Sequence, residues 1–188
     1  METKNERSVK MLTVGDKFPA FSLKAVRSSE IGDFPLVTDQ SDNGKWKLFF
    51  FWPKDFTFIC PTEIMGYGDL YTQFKERNCE IYGCSTDSDF VHVAWRKHHE
   101  GLNNSPFAWL SDIRKELSHA LGILHKQEGV CLRATYLVDP DGIIRHVSIN
   151  DLSVGRNVEE TLRILDGLQS EGLCGCNWQK GQDHVKVA

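Results

Sequence analysis

The chain of 188 residues is 40% hydrophobic and carries a formal net charge of −4. That composition suits one compact domain, or one domain with an arm. No basic stripe is visible, which argues against nucleic acid as a partner, and the longest fully apolar run, Leu48 to Pro53, is far too short to span a bilayer.

In chain order, the opening Met-Glu-Thr-Lys-Asn-Glu-Arg is charged and lacks an apolar core. No secretory signal is read there, so a cytoplasmic protein with reduced thiols is expected. Phe21 to Val26 predicts a strand, and Ser28 to Lys45 reads as a long polar loop. Lys47 to Trp52 is an apolar run with the character of a buried central strand. Residues 61 to about 77 predict a helix with Ile64, Tyr67, Tyr71 and Phe74 on one face. Glu80 to Ser85 predicts a short strand, and Ser88 to about Glu100 a second helix. Ser111 to about Leu121 predicts a third, capped by Ser111 or Asp112. Ala134 to Asp139 and Ile143 to Ser148 flank Asp139-Pro-Asp-Gly142, a hairpin turn signal. Asn157 caps a last helix, with Glu160 at the third position as in a capping box. Val158, Leu162, Leu165 and Leu168 share its face. From Leu173 onward there is no helical period, and the segment reads as an arm.

This order predicts an α/β fold, a central mixed sheet covered by helices on both faces in thioredoxin-like sequence. The stretch with the most chemistry in it is Pro53-Lys-Asp-Phe-Thr57-Phe-Ile-Cys60, followed by Pro61. It places one cysteine where a strand ends, a loop turns and a helix begins. Helix N-termini present unpaired N–H groups and a partial positive charge, which favour a thiolate. The alternative is a buried core cysteine, the usual fate of a lone thiol. Cys79, Cys84 and Cys131 stand in or beside predicted strands and read as small core residues. Zinc is a poor reading of the others: Cys174-Gly-Cys176 has no matching pair at finger spacing, and the adjacent His98-His99 do not share a helix face.

Three stretches resemble a typical 2-Cys peroxiredoxin of the alkyl hydroperoxide reductase C type. They are Phe51-Trp-Pro-Lys-Asp-Phe-Thr-Phe-Ile-Cys-Pro-Thr-Glu63, Val154-Gly-Arg-Asn157 and Cys174-Gly-Cys-Asn-Trp178. The resemblance runs from about Val14 to Lys180, and the tail resembles the actinobacterial-like branch with its extra cysteine. It implies a thioredoxin-like peroxiredoxin domain over 12–170 and an arm over 171–188 that carries the resolving cysteines. It implies a peroxidase with no metal or organic cofactor. Cys60 would be the peroxidatic cysteine, Thr57 would bond the thiolate and the peroxide, and Pro53 would shield the site. Arg133 matches the family's active-site arginine, and Glu63 and Arg156 the pair that orients it. For Arg133 and Arg156 the alternative is surface solubility, and for Glu63 a favourable first-turn carboxylate. Cys174 takes the resolving place, reaching Cys60 of another subunit. Cys176 is a second resolver, a partner in a strained Cys174–Cys176 pair, or a spectator.

The implied substrates are hydrogen peroxide and organic hydroperoxides. The implied reductant is a small Cys-x-x-Cys partner of the D type, a thioredoxin or a flavin reductase. The implied assembly is a homodimer, in a ring of five or six dimers. Full ionisation of a thiol with pKa about 8.5 gains only roughly 30-fold near pH 7. The larger part of the rate must come from aligning the O–O bond and stabilising the leaving oxygen, with Arg133, Thr57 and loop N–H groups as donors. Phe56 and Phe58 are expected to limit water. Two features of the family's peroxide-sensitive members are missing, a Gly-Gly-Leu-Gly between 95 and 110 and a Tyr-Phe pair in a C-terminal helix, so the resemblance implies a robust scavenger. A thioredoxin-like disulfide oxidoreductase is the competing enzyme, but Thr57 occupies the place of the first cysteine it would need. A holdase chaperone on the same fold is the competing non-enzymatic reading.

Overall fold

The computed structural model describes residues 10–32 and 34–187. The charged opening segment and the last residue of the predicted arm lie outside the described residues. The chain forms β1 (Ser22–Val26), β2 (Leu36–Thr38), β3 (Trp46–Phe51), α1 (Cys60–Asp69), α2 (Tyr71–Glu76), β4 (Cys79–Ser85) and α3 (Asp89–His98). It continues through β5 (Ala108–Ser111), α4 (Glu116–Leu121), β6 (Arg133–Val138), β7 (Ile144–Asn150) and α5 (Val158–Leu168). One seven-stranded mixed sheet results, in the order β2-β1-β5-β4-β3-β6-β7. β3 is an interior strand next to the central β4, parallel to β4 on one side and antiparallel to β6 on the other.

The continuous apolar run of β3 is explained by burial on both faces. Phe49 and Phe51 join Phe18, Tyr82 and Tyr136 on one side of the sheet. Leu48 and Phe50 face the other side, with Tyr67, Phe74, Trp109 and Leu165. Phe49 stacks between Phe18 and Tyr82 at centroid distances of 4.3 and 5.2 Å. Cys79, Cys84 and Cys131 are buried core residues, as the sequence predicts. No helix among the described residues is long and apolar enough to cross a membrane.

Four local expectations change. The polar stretch before β3 contains the short edge strand β2, which pairs antiparallel with β1. The helix expected over 61–77 breaks at Leu70 into α1 and α2. Gly66 and Gly68 weaken its second half, and Gly66 leaves room for Val158, whose Cγ2 would lie 3.2 Å from a Cβ there. Ser111 ends strand β5 and is not a helix cap. α4 begins only at Glu116, after Lys115 turns through the left-handed region at φ 60°. Asp112 still satisfies that helix end from a distance, accepting from Leu117 N at 3.2 Å and Ser118 N at 2.8 Å. Asn157 does cap α5, accepting from Glu160 N at 3.0 Å, but the Glu160 carboxylate pairs with Arg163 and does not complete a capping box.

Candidate active site

The site lies at the C-terminal end of β3. After Trp52 the chain leaves the sheet through a loop that must turn sharply, and Phe56 takes the left-handed conformation at φ 57° to do so. Asp55 anchors the turn. It accepts from Trp52 Nε1 at 2.7 Å, faces His92 Nδ1 at 2.7 Å, and gives its own N–H to Asp87 at 2.9 Å. Burial pushes the Asp55 carboxyl above its usual value, with His92 pulling the other way. These loop anchors are absent from the sequence reading. His92 on the buried face of α3 is the one signal that points to them.

Cys60 is the first residue of α1 and Pro61 the second; the N-cap position is Ile59, which makes no side-chain cap. Cys60 is fully buried. Thr57 Oγ1 lies 3.0 Å from Cys60 Sγ and 2.8 Å from Lys54 O. The hydroxyl has one proton for these two neighbours. It can donate to a thiolate, or donate to Lys54 O and accept from a thiol. Pro53 is buried beside the turn.

Three charged side chains from distant segments converge on the same helix end. Arg133, at the start of β6, places Nη1 3.4 Å from Cys60 Sγ and 2.7 Å from Glu63 Oε2. Its Nε donates to Leu152 O at 2.8 Å, which fixes the plane of the guanidinium. Arg156 donates to Glu63 Oε1 through Nε at 2.9 Å and to Glu63 Oε2 through Nη2 at 3.0 Å. Its Nη2 and Nη1 also reach Phe51 O at 2.6 Å and Ala134 O at 2.8 Å, tying the site to β3 and β6. The side chains of Arg133, Glu63 and Arg156 are 5%, 2% and 3% exposed, so the surface-solubility alternative for the two arginines does not hold. The set holds two buried cations and one buried carboxylate. An uncompensated buried charge is costly, and a thiolate at Cys60 makes the set neutral.

Not every residue gathers there. Phe58 is 93% exposed and Phe56 half exposed, the latter resting near Trp95 and His98. The rings point outward and do not roof Cys60 within this chain, which corrects the expectation that they limit water. Cys174 and Cys176 are exposed, whereas Cys60 is buried, and all three are free thiols. Cys174 Sγ lies 3.2 Å from Ser170 Oγ, just past the C-terminal end of α5. The arm has no helix or strand among the described residues, yet it is docked. Arg163 donates to Trp178 O at 3.1 Å, Lys180 pairs with Asp166 at 3.2 Å, and Trp178 stacks on His184.

The model of the AhpC/TSA family matches residues 14–147. The chain is similar to alkyl hydroperoxide reductase C of Mycolicibacterium smegmatis, with 47% identity covering 94% of this chain and 95% of the relative. Among solved structures, Mycobacterium tuberculosis AhpC superposes with a TM-score of 0.83 at 46% identity, covering 90% of this chain and 100% of that one. A reduced Plasmodium vivax 2-Cys peroxiredoxin does so with a TM-score of 0.86 at 38% identity, covering 93% of each chain.

Proposed function

The chain belongs to the AhpC/TSA family and is a thiol peroxidase of the peroxiredoxin type, and from that premise we propose that Cys60 is its peroxidatic cysteine. The observation that supports this most is the convergence of two guanidinium groups on the helix end where Cys60 sits. Two buried guanidinium groups face one carboxylate, and the Cys60 sulfur lies 3.4 Å from Arg133 Nη1.

The Cys60 thiolate attacks the nearer peroxide oxygen, the O–O bond breaks, and the leaving oxygen takes a proton to depart as water or an alcohol. Cys60 becomes a sulfenic acid. Arg133 and Thr57 act on the transition state, where charge moves from sulfur to the leaving oxygen. Thr57 has the proton to donate once Lys54 O is given up. Glu63 and Arg156 are positioning residues that hold Arg133, and Pro53 shapes and shields the pocket. Cys174 then attacks the Cys60 sulfenic acid of another subunit, forming the disulfide and releasing water, with Cys176 as the second tail thiol. Residues 12–170 form the peroxidase domain and 171–188 the resolving arm. A protein dithiol returns the disulfide to two thiols, and the Cys-x-Cys tail favours a small Cys-x-x-Cys protein over a thioredoxin or flavin reductase. The working assembly is at least a homodimer, in a ring of five or six dimers.

Peroxide consumption by wild type and Cys60→Ser tests the assignment. Loss of turnover is expected in Cys60→Ser, with most activity kept in Cys79→Ser, Cys84→Ser and Cys131→Ser. Substantial turnover by Cys60→Ser would refute it. Holdase activity, if present, survives the substitution and is scored separately.

A further inference from the structure

The peptide unit between Lys54 and Asp55 is gripped from both sides. Its carbonyl accepts from Thr57 Oγ1 at 2.8 Å, and its N–H, that of Asp55, donates to Asp87 Oδ2 at 2.9 Å. Thr57 Oγ1 also lies 3.0 Å from Cys60 Sγ. The place of that carbonyl therefore sets where the hydroxyl oxygen sits relative to the sulfur. Lys54 itself stands between buried Pro53 and Asp55 with its side chain at the surface. Its ammonium pairs with Glu128 Oε2 at 3.2 Å, across 74 residues of sequence.

Glu128 is presented by a tight hairpin. His125 N donates to Val130 O and Gly129 N to His125 O, each at 2.8 Å. Gly129 supplies the left-handed residue of the turn at φ 62°, and Glu128 N donates to His125 Nδ1 at 3.1 Å. Below the turn Leu124 bridges Cys131, and Leu132 N donates to Ile123 O at 2.8 Å. Cys131 is fully buried with its Sγ 3.1 Å from Ser118 Oγ, which fixes the base of the hairpin. Arg133 follows directly after Leu132, and its Nη1 faces Cys60 Sγ. The Lys54–Glu128 pair thus ties the turn that carries Thr57 to the hairpin that leads into Arg133.

We propose that Lys54 and Glu128 are positioning residues whose ion pair clips the 53–58 turn to the 124–131 hairpin and so keeps the Thr57 hydroxyl aimed at the Cys60 sulfur during attack on the peroxide. The proposal rests on the reading of Cys60 as the peroxidatic cysteine. When the Thr57 proton turns from Lys54 O toward the reacting atoms, the Thr57 oxygen must stay in place, and a small misplacement there lowers the rate. The clip resists that displacement. Hydroperoxides are uncharged, so steering of substrate by these two charges is not its role. Both side chains are about half exposed, and an ion pair in such a setting is weak and open to screening by salt. The effect is accordingly one of a few-fold in rate.

The test uses the full chain with Lys54→Met, Glu128→Gln and the two combined, each alone and with Thr57→Val. The second-order rate of Cys60 oxidation by hydrogen peroxide is read by rapid quenching and mass spectrometry, at low salt and in 0.5 M sodium chloride. Each single variant should lower the low-salt rate about threefold, and the combined variant should fall no further, because either change opens the same clip. Salt should slow the wild type by a similar factor and leave the variants nearly unchanged. In Thr57→Val neither change should have a further effect, since the hydroxyl that the clip aims is gone. A field effect of the two charges on the anionic reacting atoms would instead move Lys54→Met and Glu128→Gln in opposite directions. Opposite directions, additive losses, wild-type rates in both single variants, or losses that persist in Thr57→Val each overturn the proposal. Absence of oxidation at Cys60 in the wild type would instead overturn the assignment of Cys60 beneath it.

Discussion

Arg133 and Glu63 are joined through a 2.7 Å contact between Nη1 and Oε2, and the same Nη1 faces the Cys60 sulfur at 3.4 Å. The Nη1 amino group thus faces both a carboxylate and the Cys60 sulfur, while Leu152 O holds the Nε side of the fork. If the arginine swung away, Glu63 would keep Arg156 as its one remaining guanidinium partner.

Arg133→Lys should therefore be far from neutral. A lysine ammonium cannot hold Leu152 O, Glu63 and Cys60 through one planar group. Losing a donor aimed at developing charge costs about 100-fold or more in rate. Stopped-flow measurement of the Cys60–peroxide reaction checks this. A wild-type rate in Arg133→Met would show that the cation does not act in that step.

Glu63→Gln should destabilise the fold more than it changes the shape of the site. Removing one partner of a buried ion pair typically costs about 3 kcal/mol, and here two guanidinium groups lose the same carboxylate. Urea unfolding of the reduced protein measures it. A loss below about 1 kcal/mol would mean that solvent reaches the pair in solution.

Thiol labelling should divide the tail cysteines from the core ones. With reduced native protein near pH 8, iodoacetamide should modify exposed Cys174 and Cys176 and spare Cys79, Cys84 and Cys131. Burial raises all three core thiols, Cys131 to about 12 against an ordinary 9.0. A thiol whose folded pKa is raised stabilises the fold fully below its unfolded value. That stability is lost as pH rises through the folded value. Unfolding midpoints should accordingly fall above about pH 9, and the fall should shrink in Cys131→Ala. A flat profile between pH 9 and 11 would contradict it.

Peroxide treatment should give an intersubunit disulfide visible as a dimer on non-reducing gels. Cys60→Ser should remove it, Cys174→Ser should weaken it, and Cys174→Ser with Cys176→Ser should erase it and leave Cys60 prone to sulfinic acid. A dimer in the double variant would place the resolving thiol elsewhere. Wild-type behaviour of Cys174→Ser alone would make Cys176 the resolver.

Local signals carried much of this molecule in the sequence. The apolar run before Trp52 could only be a strand buried on both faces, and Pro61 marked the helix that Cys60 begins. The turn at Asp139 to Gly142 and the Asn157 cap were equally plain, since each depends on a few adjacent residues. Short elements without a period of their own were not legible. β2 is a strand because β1 supplies its ladder partners, and β5 because it lies between β1 and β4.

The sequence by itself determined the class of the sheet, the core cysteines and the position of Cys60 at a strand–helix junction. Resemblance, not periodicity, was needed to bring Arg133, Glu63 and Arg156 into one expectation. Only the tertiary structure decided that they share one buried carboxylate, because pairs 70 and 93 residues apart leave no periodic trace in a chain. It also turned Phe58 outward, anchored the loop through Asp55 and His92, and docked the tail on α5. Each of these depends on which surfaces the packed sheet leaves free, a property that no local window of residues contains.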